Sequence, residues 1–166
     1  MRITLIISII SHLLFSQVLL DINSIPSGST VRLNGASIGE TPILAFKVTP
    51  GNYTLHISSG EYAPVTHELF VQDVKRVKIK FVLNPLYKVR FRSKDQGLTF
   101  ELNDEHRWVD NRIKLILESG KHTLRVYENG HLFDEQIIQV NRNMEFVYSR
   151  QKPQQNEILI EENNID

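Results

Sequence analysis

The feature that most constrains this chain is an internal echo. Gly51-Asn52-Tyr53-Thr54-Leu55-His56-Ile57 returns as Gly120-Lys121-His122-Thr123-Leu124-Arg125-Val126, an offset of 69 residues. The same ungapped offset pairs Ser24 with Ser93, Gly28 with Gly97, Thr30 with Thr99, Leu33 with Leu102 and Asn34 with Asn103. Apolar positions follow, with Ile22 meeting Phe91, Val31 Phe100, Phe46 Leu115, Val48 Leu117 and Val71 Val140. So many agreements at one offset mean a duplicated unit. The 166 residues are therefore shared between two small domains.

Each copy is a string of short alternating runs separated by turn residues, the pattern of an all-β sandwich. In the first copy, strands are expected near 18–24, 29–34, 43–48, 52–58, 65–71 and 75–83. Val18, Leu20 and Ile22 share one face of a strand, as do Tyr53, Leu55 and Ile57, and Val77, Ile79 and Phe81. A period of two sends each trio into one core. Asn34-Gly35 suits a tight hairpin, Pro50-Gly51 a type II turn, and Ser59-Gly60 a further turn using positive φ. In the second copy the expected core is Val89/Phe91, Phe100/Leu102, Leu115/Leu117, Leu124/Val126 and Ile137/Phe146. Only Asn84-Pro85 separates the copies, and Pro85 should restrict how they move against each other.

The ends read differently. In "MRITLIISIISHLLFSQ", Arg2 makes a positive n-region, Ile3 to Phe15 an apolar stretch of signal-peptide length, and Ser16 a small residue fit for cleavage. The rival reading is a membrane anchor. Ser8, Ser11, His12 and Ser16 interrupt a run already shorter than the ~20 apolar residues a spanning helix needs. A cleaved leader over 1–16 is expected, followed by β-units at 17–84 and 86–150 and a polar, acidic tail at 151–166. Within the tail, "EILI" has the pattern of an edge strand.

Composition narrows the function classes. Lys plus Arg equals Asp plus Glu at 19 each, so no net field draws in nucleic acid or anionic lipid. The basic run Lys75, Arg76, Lys78, Lys80 alternates with Val77, Ile79 and Phe81 and reads as a solvated strand face. There is no cysteine, hence no disulfide, thiol chemistry or lipidated cysteine.

The punctuation of the first copy resembles the PEGA domain family, small bacterial β-sandwich modules of immunoglobulin-like or prealbumin-like build. Ser24, Pro26, Gly28, Val31, Asn34 and Gly35 match its opening motif, Gly39, Thr41 and Pro42 its Gly-x-Thr-Pro turn, and Pro50, Gly51 and Tyr53 its third motif. The last motif survives as Gly60-Glu61-Tyr62-Ala63-Pro64, one residue longer than the family pattern. The resemblance spans 18–84. The stretch 86–149 is similar in degenerate form. It keeps Gly97, Asn103, Gly120 and His122, but has Asp104 for the hairpin glycine and Trp108-Val109-Asp110-Asn111 for Gly39 to Pro42. The resemblance implies extracytoplasmic modules with interaction roles and no catalytic residues.

His122 is in phase with Leu124 and Val126 and has no partner to make it a base, so it reads as structural. His56 and His67 read as surface residues. Asp104, Glu105, His106 and Asp110 contain oxygen and nitrogen donors. They lack the turn glycine of a calcium loop and the spacing of a zinc site, so neither metal nor cofactor is expected. Nothing fixes two carboxylates at a hydrolase spacing. Trp108, the single tryptophan, either offers a face to a sugar or a partner, or plugs the end of the sandwich. Recognition loops sit on rigid scaffolds. The expected partner-binding loop is therefore Glu105, His106, Arg107, Trp108 and Asp110. The expected protein is a non-enzymatic module of the bacterial envelope, periplasmic or surface-exposed, that contacts an envelope or surface protein or scaffolds an assembly through sheet edges and turns. The alternative is a glycan or peptidoglycan binder using an exposed Trp108. Nucleic acid is not expected, and membrane contact only through an uncleaved leader.

Overall fold

The computed structural model describes residues 16–150, so the expected tail and all of the leader but Ser16 lie outside it. The described residues form fourteen β-strands and no helix. They divide into two compact units, with the boundary between Leu86 and Tyr87.

The first unit contains β1 (Val18–Ile25), β2 (Thr30–Leu33), β3 (Ala36–Glu40), β4 (Ile43–Val48), β5 (Gly51–Ser58), β6 (Val65–Val71) and β7 (Arg76–Val82). Strand β1 lies between antiparallel β4 and parallel β7. The other sheet runs β3-β2-β5-β6, antiparallel throughout. Period-two alternation turns Val18, Leu20 and Ile22 inward from the first sheet, and Val31, Leu55, Ile57 and Val71 inward from the second. All seven are fully buried in one core.

The second unit contains β8 (Leu86–Ser93), β9 (Leu98–Leu102), β10 (His106–Trp108), β11 (Arg112–Glu118), β12 (Gly120–Glu128), β13 (His131–Val140) and β14 (Met144–Tyr148). Its sheets run β11-β8-β14 and β10-β9-β12-β13, the strand order of the first unit advanced by seven elements. Backbone details repeat as well. Gly28 and Gly97 take φ of 80° and 73°, Asn34 and Asn103 49° and 54°, and Gly51 and Gly120 154° and 147°. The echo in the sequence is thus a duplicated fold.

Four expectations need correction. Ala36–Glu40 is a strand, although Ile38 is the one residue of its five that packs against the core. Gly51 opens β5 at φ 154°, away from the value near +80° that a type II turn requires. Gly60 does not use positive φ. In β13 the inward residue is Ile138, 3% exposed, and Ile137 is 61% exposed. The phase is set by Val140, which pairs with Gly120 while Ile138 pairs with His122.

Candidate functional site

The expected recognition loop lies where β9 turns into β10. Asn103 and Asp104 hold left-handed conformations at φ 54° and 60°, the places of Asn34 and Gly35 in the first unit. Asparagine and aspartate tolerate this region better than other side chains. The Asn103 side chain fixes the turn: its Oδ1 accepts from the Thr123 amide at 3.0 Å and its amide group donates to His122 Nδ1 at 2.8 Å. His122 Nε2 then donates to the Glu118 carbonyl at 2.8 Å. Both ring nitrogens are used, and the ring is 8% exposed. His122 therefore serves as a structural bridge, as its phase indicated.

Strand β10 pairs with β9, setting His106 against Leu102, Arg107 against Glu101 and Trp108 against Phe100. Alternation makes His106 and Arg107 exposed and Trp108 buried, at 8%. The indole stacks on Phe100 with ring centres 5.5 Å apart and leans on Phe91 at 5.4 Å. This corrects the reading of Trp108 as an exposed recognition residue: aromatic neighbours cover the ring that a sugar would need. The space beside it measures about 10 Å³, room for no more than a single water. Glu105 and Asp110 are exposed beside it, so four of the five expected loop residues face solvent.

The outer face of this sheet is a closed charge network. Arg125 donates to Glu135 at 2.7 Å, to Asp104, and to Glu101 at 3.5 Å. Glu135 and Asp104 raise the guanidinium's already high pKa. Tyr127 donates to Glu101 at 3.0 Å, Arg107 lies 5.1 Å over the Tyr127 ring, and desolvation followed by the Glu101 bond raises the phenol's pKa. Glu101, Asp104 and Glu135 are thus each taken up by a cation or a hydroxyl. No three His, Asp or Glu side chains among the described residues are grouped as metal ligands. His56 meets Thr66 at 3.1 Å and exposed His67 packs edge-on to Phe81 at 5.7 Å, each within the first unit.

Two features escaped sequence reasoning. Among the described residues, strand β13 is an edge ten residues long, paired only with β12, and it exposes Leu132 at 56%, Phe133 at 47% and Ile137 at 61%. The alternation of the stretch hinted at a strand, but nothing local marks a strand as an edge. Secondly, basic residues are sorted onto one face after all. The outer side of β11-β8-β14 gathers cations that the balanced composition concealed, because sorting by sheet is a property of topology.

Comparison with known proteins gives a family match for the first unit: residues 17–86 match the PEGA domain. No curated protein matches the chain. Among solved structures, the Bacillus anthracis TIE protein aligns at 10% identity with a TM-score of 0.34, over 81% of this chain and 33% of that one. A Streptococcal ancillary pilin aligns at 14% identity with a TM-score of 0.39, over 83% and 62% respectively. The chain spans about a third of the first structure's length and under two thirds of the second's.

Proposed function

We propose that this chain, whose residues 17–86 form a PEGA domain, works outside the cytoplasm as a non-catalytic envelope module and captures a protein partner by strand addition along β13. The observation that carries the reading is the β13 edge. An edge strand presents unpaired backbone donors and acceptors, and natural proteins usually blunt such edges with short length or charge. The opposite edge of the same sheet, β10, has only three residues, whereas β13 has ten and carries Leu132, Phe133 and Ile137 in the open. A partner strand would gain main-chain hydrogen bonds from the edge and side-chain specificity from alternate exposed residues. Exposed His106 and Arg107 of β10, with Glu105 before it and Asp110 after it, supply a secondary polar contact. The family match of residues 17–86 supports a periplasmic or surface location.

The test is capture of a partner from a bacterial envelope extract by the full chain, followed by hydrogen exchange on the complex. Protection of β13 amides, with capture lost in Phe133→Lys/Ile137→Lys and kept in Arg107→Ala, supports the reading. Equal capture by the double-lysine variant sinks it. Peptidoglycan fragments should leave Trp108 fluorescence unchanged; a saturable change restores the glycan alternative.

A further inference from the structure

The outer face of β11-β8-β14 differs from its counterpart in the first unit at the centre. There, Asp21 is 4% exposed, accepts from the Ala45 amide at 2.8 Å and pairs with Arg76 at 3.1 Å. At the repeat-equivalent positions the second unit has Arg90 for Asp21 and Glu145 for Arg76, an inverted pair. The inversion is not closed. Glu145 stands opposite Arg90 in the ladder, but its carboxylate is taken by Arg92 at 2.7 Å.

The result is a face with Lys88, Arg90 and Arg92 along β8 and Arg112 and Lys114 on neighbouring β11, all exposed. Straight alternation along β11 puts both of its cations outside; in the first unit a bulge between Leu20 and Ile22 disturbs the matching pair of strands. An open groove of about 480 Å³ is lined by Arg90, Arg92, Arg112 and Lys114. A second, of about 360 Å³, lies against Lys88, Arg90 and Glu145, so Arg90 lines both. Like charges on adjacent strands disfavour the free state. A bound polyanion relieves that repulsion.

We propose that this face docks an extended acidic polypeptide segment carrying carboxylates at alternate positions. Cations on alternate residues of one strand repeat at roughly 6.8 Å, the same repeat as the i, i+2 side chains of an extended peptide laid along it. Beside Arg92, which Glu145 holds, Arg90 and Arg112 carry planar forks that suit carboxylates. The aromatic residues of these strands, Phe91 and Tyr148 in the core and Tyr87 and Phe146 packed against it, lie on the inner side, so the outer face offers no ring to a nucleobase or sugar. Ile116 at 64% and Val147 at 48% exposed provide aliphatic contact at the flanks. The inference rests on the reading of the protein as a protein-binding module but uses a surface separate from the β13 edge.

The test is fluorescence anisotropy of the full chain with an eight-residue peptide alternating glutamate and threonine. Glutamine-threonine and block-glutamate peptides serve as controls. The alternating peptide should bind best and weaken as salt rises from about 50 to about 300 mM. Arg90→Glu/Lys114→Glu, checked for unchanged melting, should weaken binding by roughly tenfold or more, and Arg90→Gln/Lys114→Gln by less. Phe133→Lys/Ile137→Lys should leave it unchanged, which separates failure here from failure of the edge reading. Equal binding of the glutamine peptide overturns the proposal. So does tighter binding to phosphatidylglycerol vesicles or oligothymidylate than to the peptide.

Discussion

Ser24 and Thr41 hydrogen-bond through their hydroxyls inside the first unit, seventeen positions apart in the chain. A consistent donor order runs from Thr41 to Ser24, from Ser24 to the Ser29 hydroxyl at 2.9 Å, and from Ser29 to the Pro26 carbonyl at 2.8 Å. The Ser29 amide donates back to Thr41 Oγ1 at 3.1 Å. Main-chain bonds from Gly28 to the Thr41 carbonyl and from Thr41 to the Ser29 carbonyl finish the knot. The serine, proline, glycine and threonine of two distant motifs are therefore one structural device. The second unit has exchanged it for apolar packing, with Leu98 at the place of Ser29 and Trp108 at that of Gly39, both buried.

Thr41→Val tests the knot. The substitution keeps the shape but removes the acceptor of the buried Ser29 amide, and a stranded buried donor costs about 1–3 kcal/mol. Urea denaturation should show a loss of that size, and Thr41→Ser should recover most of it. A neutral Thr41→Val would mean the hydroxyl network adds nothing.

Trp108→Ala should cost about 3–5 kcal/mol, because it removes the ring between Phe91 and Phe100. Arg107→Ala, one residue away with a side chain 59% exposed, should stay within about 0.5 kcal/mol of the parent. Equilibrium denaturation of the two variants separates them, and similar small effects would show that the indole is dispensable to the core.

These two sites show where the sequence was sufficient and where it was not. The duplicated strands and the inward trios such as Val18, Leu20 and Ile22 were legible because alternation is a local signal. Ile137 and Ile138 are adjacent and equally apolar, so local reading could choose either. Only counting back from Val140, the partner of Val71 in the repeat, gives the right phase. For Trp108 the sequence left exposure and burial both open, because its burial depends on Phe91 and Phe100 from other strands. The cations at Lys88, Arg90, Arg112 and Lys114 are scattered in sequence and converge only when β8 and β11 become neighbours.

Asn103→Ala should destabilise more than Asn34→Ala. Asn34 accepts from the Thr54 amide at 2.8 Å, as Asn103 does from Thr123. Asn103 also supplies the donor to His122, which is buried and would be left with one ring nitrogen unpaired. The extra loss should be about 1–3 kcal/mol. Equal losses in parallel thermal melts would show that the Asn103–His122 contact is without consequence.

Alkaline unfolding should report on Tyr148. Its ring is 2% exposed, packs edge-on to Phe100 at 5.5 Å, and its hydroxyl is enclosed. Burial first, and then the nearby Asp134 carboxylate, push the phenol up to about 12 from an ordinary value of 10. The neutral form is thus favoured by folding. Its contribution is fully present below pH 10 and is lost as pH rises towards 12, where the unfolded chain ionises and the folded one resists. Stability should fall across that window by up to about 1.4 kcal/mol per pH unit from this one group. Tyr148→Phe keeps the ring and removes the ionisation, so its urea midpoint should decline less steeply between pH 10 and 12 than the parent's. Parallel declines would assign the alkaline loss to other groups and leave Tyr148 outside the linkage.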